Sequence, residues 1–406
     1  MNYNISPAAL RDHSEEALKR QFDQDMREAR HYVENPDSLR VQIEAEEIAG
    51  RGDGLPNPRP DPFNYRMTHY RGFIKFPERL RNHLIDKTEG RNATRHSRPT
   101  ELDIEPTSRC NFQCAMCQLS KWPGGKRAND MGLRDLQAVI DANPQVMDVK
   151  LQGVGEPLFN KSFFNMVRYM VDRDIWIRTT LNGSLLHIKD NVRRLVDSGI
   201  GEIQTSFDGA TKDVFEKIRK RSSFERVVEN LALLNAHANT MNRPFTRMWA
   251  LLQNANRHQV MDFVELAKRM QFRRLTFSLN LGGWGSDEWQ EQNSQATAAP
   301  LTDEEISALA DIGRAEGIEI TYWRLPDKYH AGAPESLCPM PFQRAFVSSD
   351  LRIVPCGGIG NPNVVDFGPA EELESMWSGA RFTKFRKAHL QGRIPGFCKH
   401  CYANDS

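Results

Sequence analysis

Six short apolar strands alternating with helices, seven cysteines in two groups and a polar N-terminal stretch together predict an α/β chain in three parts. These are a helical N-terminal extension (1–98), an open, partial (β/α)6 barrel (99–300) and a small cysteine-bearing α+β domain (301–406). The 406 residues, 26% charged and 39% hydrophobic, suffice for one large domain with smaller units attached. A formal net charge of +1 gives no reason to expect nucleic acid or a membrane surface as partner.

The extension is the least informative part. Residues 8–33 read as a charged helix with i,i+4 pairs, and RGDGLPNPRPDP (51–62) reads as a linker. Residues 64–98 are locally basic (Arg66, Arg71, Lys75, Arg79 and others), which reads as a lead-in packed on the barrel. The N-terminus lacks the apolar core of a secretory signal, and no run of about 18 apolar residues exists to span a membrane. With an odd number of cysteines this argues against a disulfide framework and for the cytoplasm.

The barrel rests on candidate strands 101–105, 148–152, 176–181, 202–207, 247–253 and 274–279, each short and β-branched or aromatic. Helical periodicity fills the gaps at 132–143, 162–173, 189–198, 212–238 and 257–271. Alternation of this kind builds a parallel sheet, and six units fall short of the eight that close a barrel. Ligands of such sheets bind at the C-terminal strand ends. A helix near 301–316, a strand (318–323), a hairpin (344–354) and helices near 370–377 and 379–391 make up the last part.

Directly after the first strand, Cys110, Cys114 and Cys117 form C-x3-C-x2-C. Three thiolates can hold three irons of a [4Fe–4S] cluster and leave the fourth open, whereas full protein ligation takes four. A zinc loop is the competing reading, poorly served because no fourth Cys or His lies near. The other four, Cys338, Cys356, Cys398 and Cys401, suit either a fully ligated cluster or a four-cysteine zinc site. His400 reads as a loop residue, since four thiolates already complete a tetrahedron.

Other features fall just past strand ends, in chain order: Gly155-Glu156-Pro157, Thr180-Leu181-Asn182-Gly183, Ser206-Phe207-Asp208-Gly209 and Asn256. Taken singly, each is an ordinary turn. With the cysteine loop they resemble the radical S-adenosylmethionine (SAM) superfamily, whose likeness runs to about residue 290. The resemblance implies that Glu156, with Gly155 and Pro157, binds the SAM amino group. It implies that Asn182, Ser206, Asp208 and Asn256 surround the rest of SAM, and that the Met116 thioether packs on adenine. Gly153-Val154-Gly155 departs slightly from the family's paired glycines.

The C-terminal order, CPMPFQRAFVSSDLRIVPCGGIG followed by Met376-Trp377-Ser378 and CKHC, resembles the SPASM domain and its shorter twitch form. With four cysteines, one auxiliary [4Fe–4S] cluster is implied. The cysteine layout is similar to that of the butirosin-pathway 2-deoxy-scyllo-inosamine dehydrogenase. Three plus four uses every thiol, so none remains to donate a hydrogen atom. A fully ligated cluster has no open iron for substrate, and its natural role is to accept an electron.

The expectation is a radical SAM oxidoreductase of natural-product biosynthesis. It would use a 5′-deoxyadenosyl radical to dehydrogenate a small polar substrate such as a sugar or aminocyclitol. An electron donor such as flavodoxin or ferredoxin is implied. The alternatives are a maturase acting on a ribosomal peptide, SAM-dependent aminocarboxypropyl transfer, and a zinc-stabilised binding module. No residue stands out as the catalytic base, and Arg344, beside the hairpin, reads as structural, with a substrate contact as the alternative.

Overall fold

The computed structural model describes residues 15–50, 52, 54–121, 129–279, 281–324 and 329–402. The start of the expected first helix, before residue 15, and Arg51 and Asp53 of the linker lie outside these residues.

The strands are β1 (Glu101–Ile104), β2 (Gln113–Cys114), β3 (Asp148–Leu151), β4 (Trp176–Leu181), β5 (Glu202–Ser206) and β6 (Arg219–Lys220). They continue with β7 (Thr246–Leu251), β8 (Arg274–Ser278), β9 (Glu319–Trp323), β10 (Arg344–Val347) and β11 (Ile353–Val354). The main sheet runs β11-β10-β1-β3-β4-β5-β7-β8-β9, parallel throughout except for β11. Its six middle strands are those expected of the partial barrel. The strands expected at 318–323 and 344–354 do not stand apart in the C-terminal unit. β9 pairs with β8 and β10 with β1, so they extend the barrel sheet at both edges. Strand order is a tertiary fact that linear periodicity does not carry.

Alternation along each strand sets the two faces. Leu102, Ile104, Val149, Leu151, Ile177, Ile203, Met248 and Phe277 point to the surrounding helices and are buried. Asp103, Lys150, Arg178, Thr180, Gln204 and Trp249 point inward and line a cavity of about 630 Å³. A parallel sheet usually shows apolar residues on both faces. Here the inner face is polar because it surrounds a ligand space. A slip of one residue would exchange the faces, so the register is strongly specified.

The floor of the barrel is a buried ion network at the first turns of the strands. Arg274 pairs with Glu202 at 2.8 Å and with Glu319 at 3.1 Å, and Arg247 pairs with Glu319 at 3.2 Å. Both guanidinium groups also donate to the Arg59 carbonyl, and the Tyr322 amide donates to the Pro56 carbonyl at 3.0 Å. The linker therefore lies across the lower mouth.

The N-terminal helices Glu15–Glu34, Pro36–Ala49, Pro62–Lys75 and Pro77–Glu89 pack beside that end around Met26, Met67, Tyr70, Leu80 and Leu84. Asp148, which opens β3, accepts from Tyr65 Oη at 3.1 Å and lies 3.2 Å from His69 Nε2. Buried Arg79 donates to the carbonyls of Arg173 (2.6 Å) and Pro144 (3.0 Å), and buried Arg95 pairs with Asp86. The basic stretch is thus partly internal, as a lead-in packed on the barrel requires.

Two helical expectations change. The periodicity over 212–238 splits into helices Lys212–Ile218 and Phe224–Asn239, separated by β6. A helix at Asp287–Ala296 was not foreseen, because DEWQEQNSQA has no apolar stripe to announce it. No helix of the described residues is long and apolar enough to cross a membrane.

Candidate active site

The first cysteine loop leaves the C-terminal end of β1 and is pinned at several points. Thr107 Oγ1 donates to Asp130 at 2.7 Å, the Ala115 amide donates to the Ile218 carbonyl at 3.0 Å, and β2 pairs antiparallel with β6. Cys110, Cys114 and Cys117 all reach the cavity wall. Burial pushes the thiols of Cys110 and Cys117 up to about 12, and Cys114 is raised as well. Such thiols ionise only when a bound cation compensates the lost hydration.

The remaining sequence-derived residues divide. Met116, Gly155, Glu156, Asn182, Ser206 and Asp208 line the same cavity. A Cβ on Gly155 would stand 2.3 Å from the Thr107 carbonyl oxygen, so only glycine lets the two loops meet. The Glu156 amide then donates to the Arg109 carbonyl at 2.8 Å. Buried Glu156 accepts from the Asn182 amide at 2.7 Å, and burial raises its carboxyl to about 7. Asn182 Nδ2 donates to Asn111 at 2.9 Å and reaches Cys110 Sγ at 3.8 Å.

Pro157 and Asn256 are not on the wall. Asn256 is buried and its amide is spent internally. Nδ2 donates to the Asp208 and Leu251 carbonyls, both at 2.9 Å, and Oδ1 accepts from the Gln253 amide at 2.7 Å. Its place after a strand end made it look like a ligand, while its contacts make it a brace for the loop that carries Asp208.

Sequence reasoning missed Arg219. It breaks the expected long helix, sits opposite Cys114 in the β2–β6 pair and lines the cavity. Its guanidinium pairs with Asp208 Oδ2 at 2.6 Å, and Asp208 Oδ1 accepts from the Leu251 amide at 3.0 Å. A buried cation beside the cysteine loop can hold a carboxylate. The Ser222-Ser223 pair, which precedes a new helix, was the available signal.

The second group is drawn from three separate segments. Cys338, Cys356 and Cys401 reach the same cavity, and each belongs to the electrostatic surroundings of Cys398. Burial raises all four thiols. The Cys338 amide donates to Tyr402 Oη at 3.0 Å, and the amides of Ile359 and Gly360 both donate to the Cys356 carbonyl at 3.2 Å. His400 contacts Asp287 at 3.1 Å, as a loop residue would. Arg344 pairs with Glu101 and, at 3.2 Å, with Asp103, and it also lines the cavity.

The two loops are joined directly. Buried Gln118, next to Cys117, donates to the Ile359 carbonyl at 2.8 Å and accepts from Asn361 at 3.1 Å. Glu105 accepts from the Val154 amide at 3.2 Å and from Ser349 Oγ at 2.8 Å. The unforeseen segment at 281–296 adds a strap. Trp284 Nε1 donates to the Met116 carbonyl at 2.9 Å and Gln292 to the Ala115 carbonyl at 3.0 Å. Asp287 at its other face pairs with Lys399 at 2.9 Å.

Both groups offer only sulfur. In tetrahedral zinc, sulfurs at about 2.3 Å from the ion lie about 3.8 Å apart. Among the described residues, which include all seven cysteines, no three Cys, His, Asp or Glu side chains are gathered to hold one ion. Groups of three and four thiolates also suit the irons of a cluster, each of which takes one sulfur.

The comparisons agree. The radical SAM superfamily matches residues 104–267, and a SPASM iron–sulfur cluster-binding domain matches residues 338–402. Mycofactocin maturase MftC of Mycobacterium ulcerans (strain Agy99) is 30% identical over 49% of this chain and 52% of its own length. GTP 3′,8-cyclase of Aliarcobacter butzleri (strain RM4018) is 30% identical over 62% of this chain and 76% of its own. The chain thus spans about half the length of the curated mycofactocin maturases it matches. Streptococcus suis SuiB, solved with its precursor peptide SuiA, has a like fold: TM-score 0.56 at 14% identity, over 86% of this chain and 79% of that one.

Proposed function

Because the chain belongs to the radical SAM superfamily and carries a SPASM/twitch-type cluster domain, we propose that it dehydrogenates a small polar substrate, such as a sugar or aminocyclitol alcohol. When bound, the first cluster and SAM supply a 5′-deoxyadenosyl radical, and the auxiliary cluster supplies a one-electron sink. With those groups in place, an alcohol would lose one carbon-bound hydrogen atom, its hydroxyl proton and one electron, which balances a carbonyl product and 5′-deoxyadenosine.

The observation that carries this reading is that both cysteine groups open into one cavity whose sheet wall carries charged and polar side chains, with Gln118 bonded across their loops. In it, Cys110, Cys114 and Cys117 hold the first cluster, and Cys338, Cys356, Cys398 and Cys401 the auxiliary one. Glu156 takes the SAM ammonium, Arg219 and Ser206 its carboxylate side, and the Met116 thioether faces adenine. The enzyme works in the cytoplasm and draws electrons from a flavodoxin- or ferredoxin-type donor.

A second reading, maturation of a ribosomal peptide, is favoured by MftC, named a maturase, and by SuiB, solved with a precursor peptide. Anaerobic reconstitution to about eight irons, followed by incubation with SAM and candidate substrates, separates the two. A product lighter by two hydrogens and equimolar with 5′-deoxyadenosine is expected. A cross-linked peptide would establish the second reading, and an aminocarboxypropyl adduct would overturn both.

A further inference from the structure

We infer that the substrate carries an oxyanion, a carboxylate or a phosphate, which docks on Lys150 and Arg178 in the barrel wall. The inference rests on the reading above in one respect only, that this cavity receives the substrate.

Lys150 on β3 and Arg178 on β4 are register partners and both face the cavity. Side chains so placed stand about 4.8 Å apart along the sheet. The other charges on that wall are matched. Asp103 is held by Arg344 at 3.2 Å, Glu202 by Arg274 at 2.8 Å and Asp208 by Arg219 at 2.6 Å, while Glu156 accepts backbone amides. Arg247 pairs with Glu319 at 3.2 Å, and Arg59 with Glu47 at 2.7 Å.

Lys150 and Arg178 have no ion pair or hydrogen bond from another described residue, and Arg178 Nε is buried without a partner. Asp103, the register neighbour of Lys150, attracts both cations from a distance and is also paired with Arg344 at 3.2 Å, so one carboxylate serves three cations. Two adjacent cations that share a single carboxylate with a third leave positive charge in excess on this wall, which a ligand's negative charge would offset. A lysine beside a guanidinium fork suits an oxyanion, because the fork can donate two parallel hydrogen bonds.

The pair is separate from the cation that suits SAM. Arg219 lies beside Cys114 across β2–β6, whereas Lys150 belongs to the surroundings of Cys356. Lys150 therefore faces the auxiliary side of the cavity, with Arg178 beside it one strand over. A substrate anchored there by its anion would present its neighbouring carbons between the two centres.

The test uses the holoenzyme with both clusters and SAM, titrated with inorganic phosphate and with acetate by calorimetry under argon. One anion should bind saturably at one site per chain, and the stronger of the two tells phosphate from carboxylate. Lys150→Met and Arg178→Met should each weaken it by about tenfold or more. Lys150→Arg should restore most of the binding, which a loss of folding would not allow. The SAM-induced change in the first cluster's electron paramagnetic resonance should persist in all three variants.

Absence of saturable binding, binding that neither Met variant weakens, or loss of the SAM response would each overturn the site. The last outcome would assign the cations to SAM, and a shift in the auxiliary potential with unchanged anion binding would assign them to that cluster. Wild type that forms 5′-deoxyadenosine yet binds neither anion refutes this inference and leaves the dehydrogenase reading standing. Anion binding without oxidation of any polar substrate does the reverse.

Discussion

The two cysteine groups reach the same cavity by opposite routes. The first is local: Cys110, Cys114 and Cys117 lie within one loop, pinned by β6 and by the carbonyl contacts of Trp284 and Gln292. The second is assembled: Cys338, Cys356, Cys398 and Cys401 come from three segments that meet only when β10, β11 and the C-terminal helices have packed. Chemistry at the first group therefore depends on a few backbone contacts, and integrity of the second on tertiary stability. The difference can be broken or sharpened at several places.

The largest effect is expected at the local group. Cys114→Ala should abolish SAM cleavage, read as 5′-deoxyadenosine, while the iron of the C-terminal group persists. Cys398→Ala should do the opposite, keeping part of the SAM cleavage and losing substrate oxidation. If oxidation survived in that variant, the electron-sink role would be wrong.

Gly155→Ala probes the contact between the cysteine loop and the Gly-Glu-Pro turn. With the Thr107 carbonyl 2.3 Å from the added carbon, the turn must shift. A cost of about 1–3 kcal/mol should appear in chemical denaturation, together with weakened SAM binding. Gln118→Leu removes the bond between the groups at a cost of about 1–3 kcal/mol. It should raise the ratio of 5′-deoxyadenosine to oxidised product without removing either cluster.

The effect that is smallest at neutral pH, where it vanishes, is a pH dependence confined to the assembled group. His389 is buried against Phe385 and Tyr402, both ring nitrogens lack partners, and burial lowers its pKa to about 4. Between the ordinary value of 6.5 and about 4 the unfolded chain binds the extra proton and the folded chain does not. Stability is therefore full above pH about 6.5 and declines as the pH falls toward 4, by on the order of 2–3 kcal/mol. His389→Leu should flatten that decline. The check is iron retention against pH in Cys114→Ala, where only the C-terminal group holds metal.

The same contrast explains what could be read from the sequence. The six middle strands and the first cysteine loop were legible because their signals are local: apolar runs of fixed period, and three thiols at close spacing. The four-cysteine group was legible only as an inventory, since nothing in the spacing told which segments met. Arg219 stayed hidden because helical periodicity runs through 212–238. The break there comes from pairing with Gln113–Cys114, a partner a hundred residues away in the chain. The strap at 281–296 was invisible for the reverse reason, being a polar helix held by carbonyls of another loop. Asn256 looked like a ligand by position, and its contacts showed a brace.

The pairing of Asp287 with Lys399 and His400 bears on how the enzyme is made. It fastens one side of the strap whose Trp284 and Gln292 reach the Met116 and Ala115 carbonyls, and Lys121 pairs with Glu288 at 3.2 Å to fasten another. One strap thus covers the first cysteine loop while it is latched beside the second group, so iron delivered to one centre passes an element anchored at the other.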